Sequence, residues 1–463
     1  MSQKLVIEPV TRIEGHAKVT VHLDDQNHVE RAVLHVNEFR GFEKFCEGRP
    51  FYEMPLITER ICGICPVSHH LASVKACDQI IGRQPPRPAQ MLRELMHMGQ
   101  IIQSHGMHFF ELAGPDLLLG FDADPATRNV VGLAAAAPET TLAAIQLRKL
   151  GQSIIAQVGD RRVHPNFAVP GGVNKALAAT SRDELLKALP QAMATVQQGL
   201  GIVKAWMEKN PDMLRDFGSF STNYLGMVDA DQRVNLYEGD LAVVDAGRQP
   251  LMHFAGRDYL DHIAERVEEW SYLKFPFLKS LGWPGGTYRV GPLGRLNASR
   301  GFSTPLAQQE YQLFQQCCDG KVAEGTLYYH YARLIECLYA VERAAELLQD
   351  AEILSTDLLN SGGVSQARGV GVLEAPRGTL IHDYEVDATG CLTRVNLIVA
   401  TGHNNYAMSR AVDEVAKRYL DGGNVTEGAL NRIEAAIRAY DPCLSCSTHA
   451  VGQMPIQIVF VRR

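Results

Sequence analysis

Cysteines near the two ends of this chain are spaced to share a metal. One Cys-x-x-Cys pair lies in Glu59-Arg60-Ile61-Cys62-Gly63-Ile64-Cys65-Pro66, the other in Asp441-Pro442-Cys443-Leu444-Ser445-Cys446. The two-residue spacer lets both sulfurs of a pair face one ion. Four thiolates drawn from both ends of a fold make a soft site, suited to zinc, nickel, iron or a cluster. Spacing alone points first to structural zinc, which needs only a closed tetrahedron. His69, four residues after Cys65, is placed to set an N–H against a metal-bound sulfur. Its ordinary alternative is a histidine at a helix start, satisfied elsewhere.

The flanking residues shift this reading from structure to catalysis. Arg12-Ile13-Glu14-Gly15-His16, Arg40-Gly41-Phe42-Glu43 and Glu374-Ala375-Pro376-Arg377-Gly378 accompany the two pairs. These five segments, in this order, resemble the large, catalytic subunit of nickel–iron hydrogenases. The short chain and the local forms around both pairs are most similar to the soluble, cytoplasmic NAD-reducing type. The resemblance implies nickel bound by Cys62, Cys65, Cys443 and Cys446. Cys65 and Cys446 would bridge to an iron that carries carbon monoxide and cyanide.

Heterolytic cleavage of hydrogen releases a proton, and something basic must take it. A thiolate ligand is the first candidate, with Cys446 counted among the catalytic residues. Glu14 matches the family's proton-gate glutamate; otherwise it is a strand carboxylate paired with Arg12. Arg377 matches the arginine above the open coordination site, with Asp116 and Asp441 as candidates to hold it. Without that role, Arg377 is a turn arginine and the aspartates initiate turns beside proline. Glu43 matches a magnesium-binding glutamate, whose hard oxygen suits that ion. His449 matches a second residue at the same site.

No Gly-x-Gly-x-x-Gly follows a strand, and no cysteine set remains for a relay cluster. Iron–sulfur clusters, FMN and NAD are therefore expected on partners: a flavin-containing diaphorase and an iron–sulfur small subunit. NADP or a deazaflavin are the alternative acceptors. Nickel-insertion proteins and a maturation protease are expected as well. The protease would cut after His449, whereas retention would keep Ala450–Arg463 as a strand. A respiratory-complex relative without the metal is disfavoured by the four cysteines. A zinc scaffold would need neither Glu14 nor Arg377.

Composition fits an intracellular globular protein. The 463 residues are 46% hydrophobic and 21% charged, with a net charge of −7. That balance gives no basic footprint for nucleic acid. The N-terminus lacks an apolar signal core, and Pro138 and Glu139 stop the longest apolar run, Val130–Ala137. A soluble, cytoplasmic protein with no membrane span is expected. Cys46, Cys77, Cys317, Cys318, Cys337 and Cys391 read as free thiols, and adjacent Cys317 and Cys318 point apart on a helix.

The elements that must position these groups follow from periodicity. Lys18–Leu23 and Arg31–Val36 alternate around a polar turn and predict a hairpin. Helices are predicted over Ser68–Ile81, Ala89–Leu112, Ser181–Lys209, Pro305–Cys318, Thr326–Gln349, Asn405–Leu420 and Thr426–Ala439. Ser181 and Glu184 have capping-box form. Strands are predicted over Gly239–Phe254 and as a second hairpin over Thr379–Ala400. The fold class is α+β, mostly helical, with small sheets around long helices, in one unit over residues 1–463. The hydrogenase large-subunit fold implied by the resemblance is of this kind.

Overall fold

The helix that follows the first cysteine pair, Pro66–Ile81, is buried on nearly every side. It lies flat on the strand Arg368–Ala375, and glycine makes that approach possible. A Cβ at Gly371 would stand 1.9 Å from the Ala72 carbonyl oxygen, and one at Gly369 2.0 Å from that of Ala76. The strand pairs antiparallel with Gly378–Val386, which pairs with Leu392–Ile398. Ala375 faces Gly378 in this register, so Pro376 and Arg377 form the tip of the turn. The cysteine helix and the Arg377 turn are thereby fixed to one another.

This computed structural model describes residues 3–420, 422 and 425–448. His449 and Ala450–Arg463 lie outside the described residues, and with them both readings of the tail.

Long helices carry the core. Arg87–Met107 buries Leu92, Leu95, Met96, Met98, Ile101 and Ile102 completely. It continues through wider turns over His108–Ala113 and Pro115–Leu119, past the predicted end. A helix over Pro138–Gly159, which the periodicity reading passed over, packs against it. The two backbones meet at glycines: a Cβ on Gly151 would lie 2.5 Å from the Gly99 carbonyl oxygen. Ala179–Lys209 begins before Ser181 and has no side-chain cap, so the predicted capping box does not form. Ser181 lies inside the first turn. Pro305–Cys317 ends at the first of the adjacent cysteines and Cys318 caps it. Both line one cavity of about 950 Å³. Tyr328–Gln349 completes the central set.

The small sheets sit around these helices. Ala17–Leu23 and Val29–Val36 form the expected hairpin, with Gln3–Ile7 added on the other edge. A four-stranded sheet joins Tyr288–Arg289, Asn223–Val228, Asp240–Val244 and Pro250–Phe254 in that order. Near the C-terminal end, Thr426 caps Glu427–Arg438 by accepting the Ala429 N–H. The segment beyond it pairs with the N-terminal region: Glu14 and Cys443 form a parallel bridge. That bridge brings the two ends of the sequence to one place. Among the described residues no helix is long and apolar enough to cross a membrane.

Candidate metal centre

Cys62, Cys65, Cys443 and Cys446 converge, with their sulfurs within 4.8 Å of one another. All are buried, at 5% exposure or less. Cys62 Sγ lies 3.5 Å from Cys443 Sγ, and Cys65 Sγ 3.7 Å from Cys446 Sγ. Sulfurs on a tetrahedron of about 2.3 Å bonds stand roughly 3.8 Å apart. The pairs that match this edge join the two ends of the chain. Cys443 and Cys446 are closer, at 2.7 Å. Cys62 Sγ also accepts the Ile64 and Cys65 N–H groups, each at 3.2 Å. Cys65 stands at the N-terminal cap of the helix Pro66–Ile81, which fixes it relative to that helix. Burial drives the Cys443 and Cys446 thiols well up. Bonds from Cys443, Cys446 and Cys65 hold Cys62 well below the usual thiol value, with help from the Arg377 charge.

Arg377 is the cation of this site. Burial opposes its charge, but Asp441, Cys443, Cys65 and Cys62 more than offset that and raise it. Its Nη2 donates to Asp441 Oδ1 at 3.0 Å. Among the described residues its Nε and Nη1 are buried with no hydrogen-bond partner, as is Asp441 Oδ2. Burial raises the Asp441 carboxyl against the pull of Arg377 and Arg333. Asp441 also adopts φ 56°, a left-handed conformation rare outside glycine. Of the two aspartates expected to hold Arg377, only Asp441 bonds it. Asp116 instead accepts from Arg12 at 2.6 Å, Arg438 at 2.5 Å and Asn431 at 3.0 Å. Its position on the turn after the long helix aims it at the N-terminal segment.

Glu14 is tied to the second cysteine pair. Its carbonyl oxygen accepts the Leu444 N–H and its Oε2 the Ser445 N–H, both at 3.1 Å. His69 is buried, with Nδ1 3.2 Å from His382 Nε2; His382 in turn lies 2.6 Å from the Tyr384 hydroxyl. Glu43 Oε1 accepts the Leu397 N–H at 2.7 Å. His449 lies outside the described residues.

Sequence reading missed several supporting groups. Thr401 Oγ1 accepts the Cys443 N–H at 2.9 Å. Arg333, fully buried, donates to the Ala439 carbonyl at 3.0 Å, two residues before Asp441. Burial lowers its guanidinium to about 10. Glu59, also fully buried, has its carboxyl raised to about 8 by desolvation. Arg333 and Glu336 carried a usable signal: ionisable residues on an otherwise apolar helix must meet partners.

The donor set fits a soft metal centre. Four thiols converge in a buried site, and two guanidinium nitrogens with no partner among the described residues can serve a further polar ligand. The profile of the nickel-dependent hydrogenase family matches residues 40–129 and 236–449, and a HoxL-like profile matches residues 4–39. The chain belongs to the nickel-dependent hydrogenase family and is a hydrogenase large subunit. Within it, the chain is 46% identical to the NAD-reducing hydrogenase HoxS subunit beta of Cupriavidus necator, over 99% of this chain and 97% of that protein. It is also 46% identical to a chain of the vhu F420-non-reducing hydrogenase of Methanococcus voltae, over 89% and 98%. A crystal structure of an NAD+-reducing NiFe-hydrogenase in the H2-reduced state superposes with a TM-score of 0.94, at 47% identity, covering 96% of this chain and 99% of that one.

Proposed function

We propose that this subunit cleaves H2 reversibly into protons and electrons, and that the electrons leave through an iron–sulfur small subunit to a flavin-containing diaphorase that reduces NAD. One observation carries the proposal: the four buried sulfurs lie close enough to the buried Arg377 for their charges to act on it, and its Nε and Nη1 have no partner among the described residues. A zinc scaffold would have no use for a cation held over its ligands. The Ni–Fe centre, with carbon monoxide and cyanide on iron, supplies when bound a soft low-valent site that polarises hydrogen.

The chain's own residues do the rest. Cys62, Cys65, Cys443 and Cys446 hold the metals and exclude water. Cys446 takes the proton first. Glu14, bonded to the Ser445 N–H beside it, carries the proton outward. Arg377 orients and polarises hydrogen through its free N–H groups, and Asp441 fixes its plane. Asp116 acts at one remove, by anchoring Arg12 and Arg438 around the Glu14 segment. His69 tunes the sulfurs. Glu43 would supply a hard carboxylate oxygen for magnesium, and His449 would contact the same site.

Partners follow from what the chain exposes and what it lacks. Phe39, Phe45, Tyr52 and Leu56 are exposed apolar side chains close in sequence to Glu43 and the first cysteine pair. They suit a docked small subunit, which would set a cluster near the sulfurs for a short electron hop. FMN and NAD then sit on the diaphorase. Nickel-insertion proteins and a maturation protease complete assembly in the cytoplasm. Relatives at similar identity bear NAD-reducing and F420-non-reducing names, so the acceptor rests on the partners. The native complex, tested with NAD, NADP and a deazaflavin, should reduce NAD with hydrogen. Preferential reduction of another acceptor, or NAD reduction by the isolated metallated chain, would overturn the assignment.

A further inference from the structure

Arg295, on the fully buried helix Gly291–Ala298, grips the backbone that presents Arg377. Its Nε and Nη2 donate to the two oxygens of Glu336 at 2.5 and 2.6 Å. Its Nη1 donates to Glu374 Oε2 at 2.5 Å. The same guanidinium reaches the carbonyls of Ala375 at 3.1 Å and Pro376 at 3.4 Å, the two residues before Arg377. The other oxygen of Glu374 accepts the Thr379 hydroxyl at 2.7 Å, so the turn is held from both sides of Arg377. Glu336 is backed by His105 at 3.0 Å. The fit leaves no slack: a Cβ on Gly291 would stand 2.8 Å from the Arg377 carbonyl oxygen.

We propose that Arg295 and Glu374 form a positioning device for Arg377, fixing where its guanidinium stands over the four sulfurs without touching hydrogen or metal. Stability alone does not account for the arrangement. Apolar residues of similar volume often stabilise a fold as well as a buried ionic triad, or better. What the triad supplies is direction, because a planar fork with fixed donors locks each carbonyl and carboxylate in place. Positioning matters here, since displacing a reacting group by about 1 Å can cost roughly 100-fold in rate. The inference rests on the reading of Arg377 given above.

The test is a double-mutant cycle on the assembled complex. Glu374→Gln keeps the shape and the acceptor for Thr379, but places an uncharged amide against Arg295. Metal content, the infrared bands of the iron-bound diatomic ligands and hydrogen–deuterium exchange are read in wild-type and Arg377→Lys backgrounds. Glu374→Gln should retain nickel and iron, shift the bands, and slow exchange about 10- to 100-fold. In the Arg377→Lys background it should add less than about twofold, because it acts through a side chain already altered. Thr379→Val should do the same more weakly, and it carries the cycle if Glu374→Gln fails to assemble. Full multiplication of the two losses would overturn the positioning role, as would normal exchange with unmoved bands. An Arg377→Lys variant of normal rate would instead defeat the reading of Arg377, and the positioning role with it.

Discussion

Glu14→Gln separates proton movement from everything else Glu14 does. The carboxylate accepts the Ser445 N–H and the main chain accepts the Leu444 N–H, both at 3.1 Å. Glutamine keeps the backbone bond and still offers an oxygen to Ser445. The bond to Ser445 goes from charge-assisted to neutral, a loss of about 1 kcal/mol. The cysteine pair should therefore stay in place and the metals should load. An amide cannot carry a proton at neutral pH, so removing a positioned acid–base group should slow turnover about 10²- to 10⁴-fold. That corresponds to roughly 3–5 kcal/mol of barrier. The assay is hydrogen–deuterium exchange beside acceptor reduction, with nickel and iron counted in the same sample. Both rates should fall together while metal content holds. Near-normal exchange in a fully metallated variant would remove Glu14 from the proton path.

Two further outcomes follow from the site. On the proposed function, Cys65→Ser or Cys446→Ser should prevent assembly of the metal centre, seen as loss of iron and of its infrared bands, since each removes one of the four sulfurs that would hold the metals. For Asp116, burial alone would raise the carboxyl, but Arg438 and Arg12 bring it below the usual carboxylate value. Its stabilisation is thus present above about pH 4 and is lost as pH falls through the lower folded value. Asp116→Asn should cost roughly 3–5 kcal/mol at pH 7, because it takes the carboxylate from Arg12 and leaves Arg438 with Glu434 as its remaining ion-pair partner. In urea unfolding, its deficit should shrink below about pH 4; a deficit independent of pH would mean that the ion pairs do not carry it.

The parts of this fold legible in the sequence are those whose signal is local. The helix after Cys65 and the hairpin around Asp24–Asn27 follow from periodicity and turn chemistry. Glycine weakened the local signal of two other elements. Gly369 and Gly371 supply no side chain to the alternation of Arg368–Ala375, yet they let that strand lie against the cysteine helix. Gly151 weakened the pattern of Pro138–Gly159, although Ala144, Leu147, Leu150, Ile154 and Val158 repeat at helical spacing on its buried side. The four cysteines were legible because metal chemistry constrains type and spacing together. Thr401, Arg295 and His382 were not, because one threonine, arginine or histidine has no spacing to betray it. Their partners lie far away in sequence and meet only through the tertiary fold.

The central claim is that the four cysteines hold nickel and iron for hydrogen chemistry. Elemental analysis of the native complex, joined to infrared spectroscopy of the same sample, tests it most directly. Nickel on this chain, with bands from carbon monoxide and cyanide bound to iron, is the predicted result. About one zinc per chain and no such bands would contradict it.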